Sequence, residues 1–242
     1  MAVIKAQHLT FSYDGAEAVL SDVSFELESE ETVGLIGANG VGKSTLLKIL
    51  VGLLPGYRGI VEVGGLTVEK KHIRRIRETA GYVFQDSDSQ LFLATVYVDV
   101  AFGPRNYGYA EAEVDRRVMA ALRQVHMEDL RDRQIYRMSG GQKKLASIAT
   151  ILSMEPQIIL LDEPSGALDP RNRKNLIRVI REMKGTKIIA SHDLDLIGDT
   201  CGRTLLLSGG RLIRDGETNG ILTDEALLQA HGLELPLSLS RT

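Results

Sequence analysis

The stretch GANGVGKST, at residues 37–45, decides the fold of this chain. A glycine, four residues and then Gly-Lys-Ser form the phosphate-binding P-loop pattern. The apolar run Thr32–Gly37 predicts a strand before the loop, and the apolar spacing after Lys43 predicts a helix. Glycines let backbone N–H groups curl around phosphate oxygens, and the helix N-terminus adds the positive end of its dipole. The stretch therefore predicts a strand, a phosphate cradle and a helix.

The side chains of this loop suit the charges of a nucleotide. Lys43 is expected to reach the β- and γ-phosphates as a point charge, and the Ser44 hydroxyl to ligate Mg²⁺. The predicted phosphate-binding set is Gly37, Asn39, Gly40, Gly42, Lys43, Ser44 and Thr45.

A second element supplies carboxylates. The run Ile158–Leu161 is typical of a buried strand, and it delivers Asp162 and Glu163 at its carboxyl end. Ligands of open α/β sheets bind at such ends. We expect Asp162 to hold Mg²⁺ through water, and Glu163 to orient or deprotonate the attacking water.

The order of the remaining elements predicts an α/β fold, a P-loop NTPase core with a mostly parallel sheet. Residues 3–13 and 21–29 alternate apolar and polar, which predicts an antiparallel β-layer at the N-terminus. An inserted α-helical subdomain is predicted at about 86–154, between core segments 1–85 and 155–242. Its helices are expected near Val96–Phe102, Ala110–Val125 and Gln142–Leu152, and the later β/α elements at Ile158–Leu161, Asn172–Met183, Lys187–Ala190, Thr204–Leu207 and Arg211–Arg214.

The composition excludes several classes of protein. The 242 residues carry a net charge of −3, which gives no electrostatic reason to expect nucleic-acid binding. The basic stretch 70–77 is predicted to be a solvated helix or turn. Cys201 is the only cysteine, so an intramolecular disulfide is impossible, and we expect it to be a small buried hydrophobe. The N-terminus lacks a signal-peptide pattern, and no apolar run suits a membrane helix. Any work at a membrane is therefore expected to go through partners.

A second phosphate cradle is predicted about 95 residues after the first. Ser139, Gly140, Gly141 and Gln142 open a helical pattern, and Ser-Gly-Gly before a helix is either an anion cradle or a plain N-cap with a glycine turn. Two cradles make sense if two subunits pack head to tail, each capping the nucleotide of the other.

With these motifs in place, the chain resembles the ATP-binding cassette family over nearly its whole length. The matches stand in the family's order: Tyr13 for the aromatic that stacks on adenine, 37–45 for Walker A, Gln85 for the Q-loop glutamine, Ser139–Gln142 for the signature, Leu160–Glu163 for Walker B, Ser165–Asp169 for the D-loop and His192 for the switch histidine. Met138, Lys143-Lys144 and Ser165-Gly166-Ala167 depart slightly from the commoner family residues.

The resemblance implies an ATP hydrolase that uses ATP and Mg²⁺ and works as a homodimer or heterodimer. Its catalytic residues would be Lys43, Gln85, Glu163 and His192, its metal ligands Ser44, Gln85 and Asp162, and Tyr13, the signature residues and Asp169 would contact nucleotide.

Residues 85–104 further resemble the ATPase subunits of energy-coupling-factor importers, through the second glutamine Gln90 and the stretch Ala101–Pro104. That resemblance implies an integral membrane coupling protein and a substrate-binding membrane subunit as partners, at the cytoplasmic face of the membrane. The short tail after Gly216 resembles the cobalt or nickel type. A vitamin importer, or a soluble cassette protein of DNA maintenance, iron-sulfur assembly or translation, remains as an alternative; long coiled-coil inserts and tandem cassettes, which mark two of these soluble types, are absent from the sequence.

Overall fold

The computed structural model describes residues 2–15, 17–166 and 168–240. The strands of this part are β1 (Ile4–Phe11), β2 (Leu20–Leu27), β3 (Thr32–Ile36), β4 (Arg58–Val63), β5 (Leu66–Thr67), β6 (Ala80–Val83), β7 (Ile158–Asp162), β8 (Thr186–Ala190), β9 (Arg203–Ser208) and β10 (Arg211–Glu217). The α-helices are α1 (Lys43–Leu50), α2 (Ile73–Thr79), α3 (Val96–Asn106), α4 (Glu111–Gln124), α5 (Gly140–Leu152), α6 (Pro170–Glu182), α7 (Leu194–Thr200), α8 (Thr218–Leu222) and α9 (Glu225–Ala230).

A six-stranded sheet forms the centre of the molecule, in the order β10-β9-β3-β8-β7-β6. Neighbours from β9 to β6 pair in parallel, and β10 returns antiparallel to β9. Every residue of β7 and β8 is buried, as expected of strands covered on both faces. The parallel strands therefore share one carboxyl edge, where their loops meet.

A separate antiparallel sheet of four strands, in the order β2-β1-β4-β5, covers part of one face. Its strands alternate between buried and more exposed positions, because only one of its faces packs on the core. The two sheets together confirm the predicted α/β class with an N-terminal antiparallel layer.

Two apolar cores lie on opposite faces of the central sheet. Ile158 and Leu160 of β7 belong to the core shared with α1, α2 and the antiparallel layer, whereas Ile159 and Leu161 belong to the core shared with helices α3 to α9. This division follows from the two-residue period of a strand. The chain thus has three layers: the antiparallel sheet with α1 and α2, the central sheet, and helices α3 to α9.

The segment between β6 and β7 is helical, as predicted. Helices α3, α4 and α5 pack against one another, and the buried hydroxyl of Ser153, just after α5, donates to the carbonyl of Val100 in α3 at 2.9 Å. The exact bounds of a subdomain at 86–154 stay a prediction. Among the described residues, no helix has the length and apolar character needed to cross a bilayer.

Some elements differ from the sequence expectation. Strand β1 ends at Phe11, so Tyr13 lies in the loop beyond it. Helix α5 begins at Gly140, two residues earlier than its apolar pattern, because Ser139 caps it. The basic stretch contains α2, which is largely exposed. Cys201 is buried, and burial raises the pKa of its thiol to about 11.

Candidate active site

The P-loop between β3 and α1 depends on glycine at two tight positions. Gly42 precedes α1 with a φ of 110°, and a Cβ there would lie 2.8 Å from the Leu20 side chain. A Cβ at Gly37, whose φ is 153°, would lie 2.3 Å from the carbonyl oxygen of Leu207. Side chains would be both strained and crowded at these positions. The loop therefore follows a backbone path that only glycine allows.

Lys43 is the cation of this loop, and it is only 6% exposed. Its Nζ donates to the carbonyls of Gly37 at 2.7 Å and Ala38 at 3.2 Å. It also lies 3.6 Å from Oε1 of Glu163. Burial lowers the pKa of the Lys43 ammonium, against the opposing effect of the Glu163 carboxylate.

Asp162 ends β7 and is 2% exposed, so its carboxylate depends on protein donors. The Ser44 hydroxyl donates to Oδ1 at 2.9 Å, and the Tyr82 hydroxyl donates to Oδ2 at 2.7 Å. Burial, and then the charge of Asp162, raise the pKa of Tyr82, which keeps that hydroxyl protonated. Both oxygens of Asp162 thus have a donor.

Glu163 follows with a φ of 43°, a left-handed backbone that is uncommon for a residue other than glycine. Oε2 accepts the backbone N–H of His192 and the hydroxyl of Ser191, each at 3.2 Å. Nδ1 of His192 lies 2.8 Å from the same oxygen. A buried carboxylate in an unusual backbone conformation, held by several donors, is typical of a functional position.

Lys43, Glu163 and His192 meet in an open cleft of about 350 Å³ at the carboxyl edge of the sheet, whereas Asp162 lies outside its lining and is bonded to Ser44. The cleft brings together residues that the sequence singled out from four separate segments. Its lining is Asn39, Gly40, Gly42, Lys43, Ser44, Thr45, Gln85, Glu163 and His192. Gln85 is exposed in the cleft, and Tyr13 lies beside the loop, with its hydroxyl 3.1 Å from Oγ1 of Thr45.

The signature residues do not line this cleft. Ser139 and Gln142 form a reciprocal capping box at the exposed start of α5, so this segment does cap the helix, and its role as an anion cradle stays a prediction. Gly141 packs so closely on α6 that a Cβ would lie 2.4 Å from the Asn172 side chain. Asp169 also lies outside the cleft lining and caps α6, accepting from Asn172 N at 2.9 Å. Ala167, the middle of the expected D-loop, lies outside the described residues.

Sequence reasoning missed the residues that support the cleft from behind. Lys144 is 4% exposed, and its Nζ donates to the carbonyls of Phe84 and Gln85 at 3.0 and 2.7 Å. Gln90, which the sequence marked only by resemblance, accepts from Phe84 N and donates to Ser147 O on α5. Tyr82 and Ser191 were also missed. Lys144 could have been suspected from the sequence, because it lies next to the signature. The contacts of Tyr82, Gln90 and Ser191 join segments that are distant in the sequence, so no local pattern indicates them.

The donor set of the cleft fits a nucleotide with a divalent cation. The Ser44 hydroxyl donates its hydrogen bond to Asp162, so the lone pairs of its oxygen stay available to a cation. Within the described ranges, no three His, Cys, Asp or Glu residues form an all-protein metal cage. Mg²⁺ in phosphate-transfer sites typically uses one or two protein ligands together with substrate phosphates. The chemistry of Ser44, Asp162 and Gln85 matches that pattern.

Comparison with known proteins agrees with this geometry. The family described as ABC transporter matches residues 20–166. A protein of Geobacter sulfurreducens whose name describes an ABC transporter ATP-binding protein is 46% identical over 98% of this chain and 95% of its own length. The energy-coupling factor transporter ATP-binding protein EcfA of Carboxydothermus hydrogenoformans is 41% identical over 97% of this chain and 87% of its own.

A solved structure extends the likeness to three dimensions. The structure of cbiO1 from Clostridium perfringens, described as part of the ABC transporter complex cbiONQ, superposes with a TM-score of 0.85 at 33% identity, and covers 95% of this chain and 94% of its own. The chain therefore belongs to the ABC transporter family, as an ATP-binding subunit whose hydrolysis of ATP is coupled to transport.

Proposed function

We propose that this chain is the ATP-hydrolysing subunit of an energy-coupling-factor importer, and that Glu163 is its catalytic base. One observation carries the chemistry: the Glu163 carboxylate is held by Ser191 and His192 and faces Lys43 in the P-loop cleft. A carboxylate beside a phosphate cradle can orient a water molecule for in-line attack and take its proton.

The other residues of the cleft have distinct roles in this proposal. Backbone N–H groups of the P-loop and Nζ of Lys43 bind the β- and γ-phosphates of ATP. On binding, Lys43 replaces its hydrogen bonds to the loop carbonyls with bonds to phosphate oxygens. Ser44, Asp162 and Gln85 would hold Mg²⁺, which when bound neutralises charge on the phosphate oxygens. His192 lies 2.8 Å from Oε2 of Glu163, which it would hold in place, and it would also contact the γ-phosphate, while Tyr13 would stack on adenine.

A second cassette completes the site. Ser139, Gly140, Gly141, Gln142 and Asp169 lie outside the cleft lining, although the family assigns them to nucleotide binding. We infer that they serve the nucleotide held by a second subunit, packed head to tail as a homodimer or heterodimer. ATP would then bind the closed pair better than the open one, and hydrolysis would remove that difference in affinity.

The partners in the membrane would dock near the Q-loop. An apolar groove of about 240 Å³ runs between β6 and the end of α5, lined in part by Leu53, Phe84 and Met154. Phe92 and Phe102, 62% and 42% exposed, stack edge to face at 5.0 Å in the helical segment. Such exposed aromatics suit an amphipathic helix of an integral membrane coupling protein. This docking would place the chain at the cytoplasmic face of the membrane.

The proposed cargo is a cobalt or nickel ion, delivered through a separate substrate-binding membrane subunit, with a vitamin as the alternative. Support comes from the resemblance of the stretch Leu233–Leu237 to the metal-type ATPases, and from the likeness to cbiO1 of the cbiONQ complex. Purification of the native complex from membranes tests this assignment. A coupling protein together with a metal-binding subunit is expected, and a vitamin-binding subunit would redirect the proposal.

Glu163→Gln tests the catalytic role. The amide keeps the size of the side chain but cannot take a proton, so we expect ATP binding to persist while hydrolysis falls at least about 100-fold. Gel filtration with ATP and Mg²⁺ should show an ATP-trapped dimer, and the exposed Glu17→Gln should behave as the wild type. Rapid turnover by Glu163→Gln without any change of assembly would remove Glu163 from the role of base.

A further inference from the structure

Tyr82 connects the interior of the sheet with the carboxylate of Asp162. It lies on β6, in register with Leu160 of the neighbouring β7, and is 7% exposed. Its hydroxyl donates to Oδ2 of Asp162 at 2.7 Å, across 80 positions of sequence. The aromatic ring packs against Phe84, with 5.0 Å between the ring centroids. The donor is therefore fixed in place by packing.

The two oxygens of Asp162 have donors of different kinds. Oδ1 accepts from Ser44, whose oxygen is itself a candidate ligand of the divalent cation. Oδ2 accepts from Tyr82, which is buried beside the strand and is not in the lining of the cleft. Rotation of the carboxylate would cost the Tyr82 bond and leave a buried oxygen without a partner. Tyr82 thus opposes any rotation that would turn Oδ1 away from Ser44.

We propose that Tyr82 is a positioning residue for the divalent cation, holding Asp162 with Oδ1 toward Ser44 at the phosphate cradle. The inference rests on the proposed function, since it assumes that Ser44 and Asp162 hold Mg²⁺ with the nucleotide. Outer-shell partners of this kind orient metal ligands, and their removal typically lowers metal affinity or activity about 10- to 100-fold.

A purely structural role for the same bond makes a different prediction. If Tyr82 only satisfied a buried carboxylate, its hydroxyl would contribute to stability and leave the metal dependence of nucleotide binding unchanged. The measurement that distinguishes the two roles is therefore the metal concentration that gives half of the full enhancement of nucleotide binding. Thermal stability does not distinguish them.

The experiment compares wild type with Tyr82→Phe, which keeps the ring and removes only the hydroxyl. Binding of a non-hydrolysable ATP analogue is measured by calorimetry in EDTA and across a titration of Mn²⁺ or Mg²⁺. We expect unchanged binding in EDTA and a metal midpoint about 10- to 100-fold higher than in wild type. Tyr57→Phe is the matched control, because the Tyr57 hydroxyl donates at 2.6 Å to the carbonyl of Val68, a contact outside the cleft.

The outcomes distinguish this inference from the proposed function. If metal does not enhance binding by wild type, the proposed metal site itself fails. If wild type responds and Tyr82→Phe has the same midpoint, the positioning role is overturned, whatever happens to stability. Should Tyr82→Phe fail to fold, 4-fluorophenylalanine at position 82 keeps the ring and a substituent in place of the hydroxyl but has no proton to donate to Asp162. A shifted midpoint would then support the role, and an unchanged one would overturn it.

Discussion

At the scale of single residues, the cleft contains charged side chains that are buried from water. Lys43 and Glu163 are each 6% exposed, and 3.6 Å separates the ammonium from the carboxylate. Lys43 also donates to P-loop carbonyls, and Glu163 also accepts from Ser191 and His192. Removing one member of a buried charged pair leaves the other uncompensated, so such pairs respond strongly to mutation. Lys43 also lines the cleft in which the phosphates are proposed to bind.

Lys43→Ala should therefore lose nucleotide affinity itself, in contrast to Glu163→Gln. Charge-assisted hydrogen bonds contribute about 1.5–3 kcal/mol each, so a loss of at least about 10-fold is expected in calorimetric titrations with ATP. Lys48→Ala, in the last turn of the same helix, serves as the control and should bind normally. Wild-type affinity in Lys43→Ala would refute the assignment of Lys43 to the phosphates.

At the scale of elements, side-chain hydrogen bonds join helix α5 to the backbone around Gln85. Lys144 donates to the carbonyls of Phe84 and Gln85, and Gln90 joins Phe84 N to the α5 carbonyl of Ser147. Burial lowers the pKa of the Lys144 ammonium, which has carbonyl oxygens as its partners. The start of this helix carries the signature, so the Q-loop backbone and the signature helix are joined into one unit.

Lys144→Met should loosen this unit, since the two carbonyls lose their donor and each hydrogen bond to a charged group contributes about 1.5–3 kcal/mol. Hydrogen exchange, followed by mass spectrometry, should quicken in residues 84–90. The neighbouring Lys143→Met removes only the partly exposed ion pair with Asp88 and should have a much smaller effect. Equal exchange in Lys144→Met and wild type would show that Lys144 does not hold the loop.

At the scale of the whole molecule, the proposed function assigns the P-loop and the signature of one chain to different nucleotides. The cleft is lined by P-loop residues and Glu163, whereas the capped start of α5 lies outside its lining. Their separation follows from the sheet order, because the P-loop follows β3 while α5 belongs to the helical segment beyond β6. Under the proposed function, a complete site therefore requires two subunits.

Mixing defective chains tests this architecture. Lys43→Ala disables the P-loop and Ser139→Arg blocks the signature, so each homodimer should be inactive. In a mixed dimer, the intact P-loop of one chain meets the intact signature of the other, and ATPase activity of about half the wild-type rate per mixed dimer is expected from one remaining site of two.

The control places both substitutions in one chain and mixes it with wild type. That mixed dimer contains no intact site, so the double variant should add no activity beyond that of the remaining wild-type dimers. Recovery by the double variant, or no recovery by the two single variants, would contradict a site shared between copies of this chain.

Local patterns in the sequence were enough to predict much of the fold. Three patterns are each confined to a short stretch: the P-loop, the run Ile158–Leu161 and the helical periodicity near Ala110–Val125. The structure has β3, β7, α1 and α4 where these patterns predict them. Helix and strand periods are properties of neighbouring residues, so sequence alone determined the class of the fold, its layers and the phosphate loop.

Only the tertiary structure decided which distant groups touch. The bond from Ser44 to Asp162 spans 118 positions and that from Tyr82 to Asp162 spans 80, and both exist because β6, β7, β8 and β3 are consecutive neighbours in the sheet. Strand order is a long-range property that no local period encodes. For the same reason Tyr82 and Lys144, ordinary residues in the sequence, acquire their importance from burial beside Asp162 and the Q-loop.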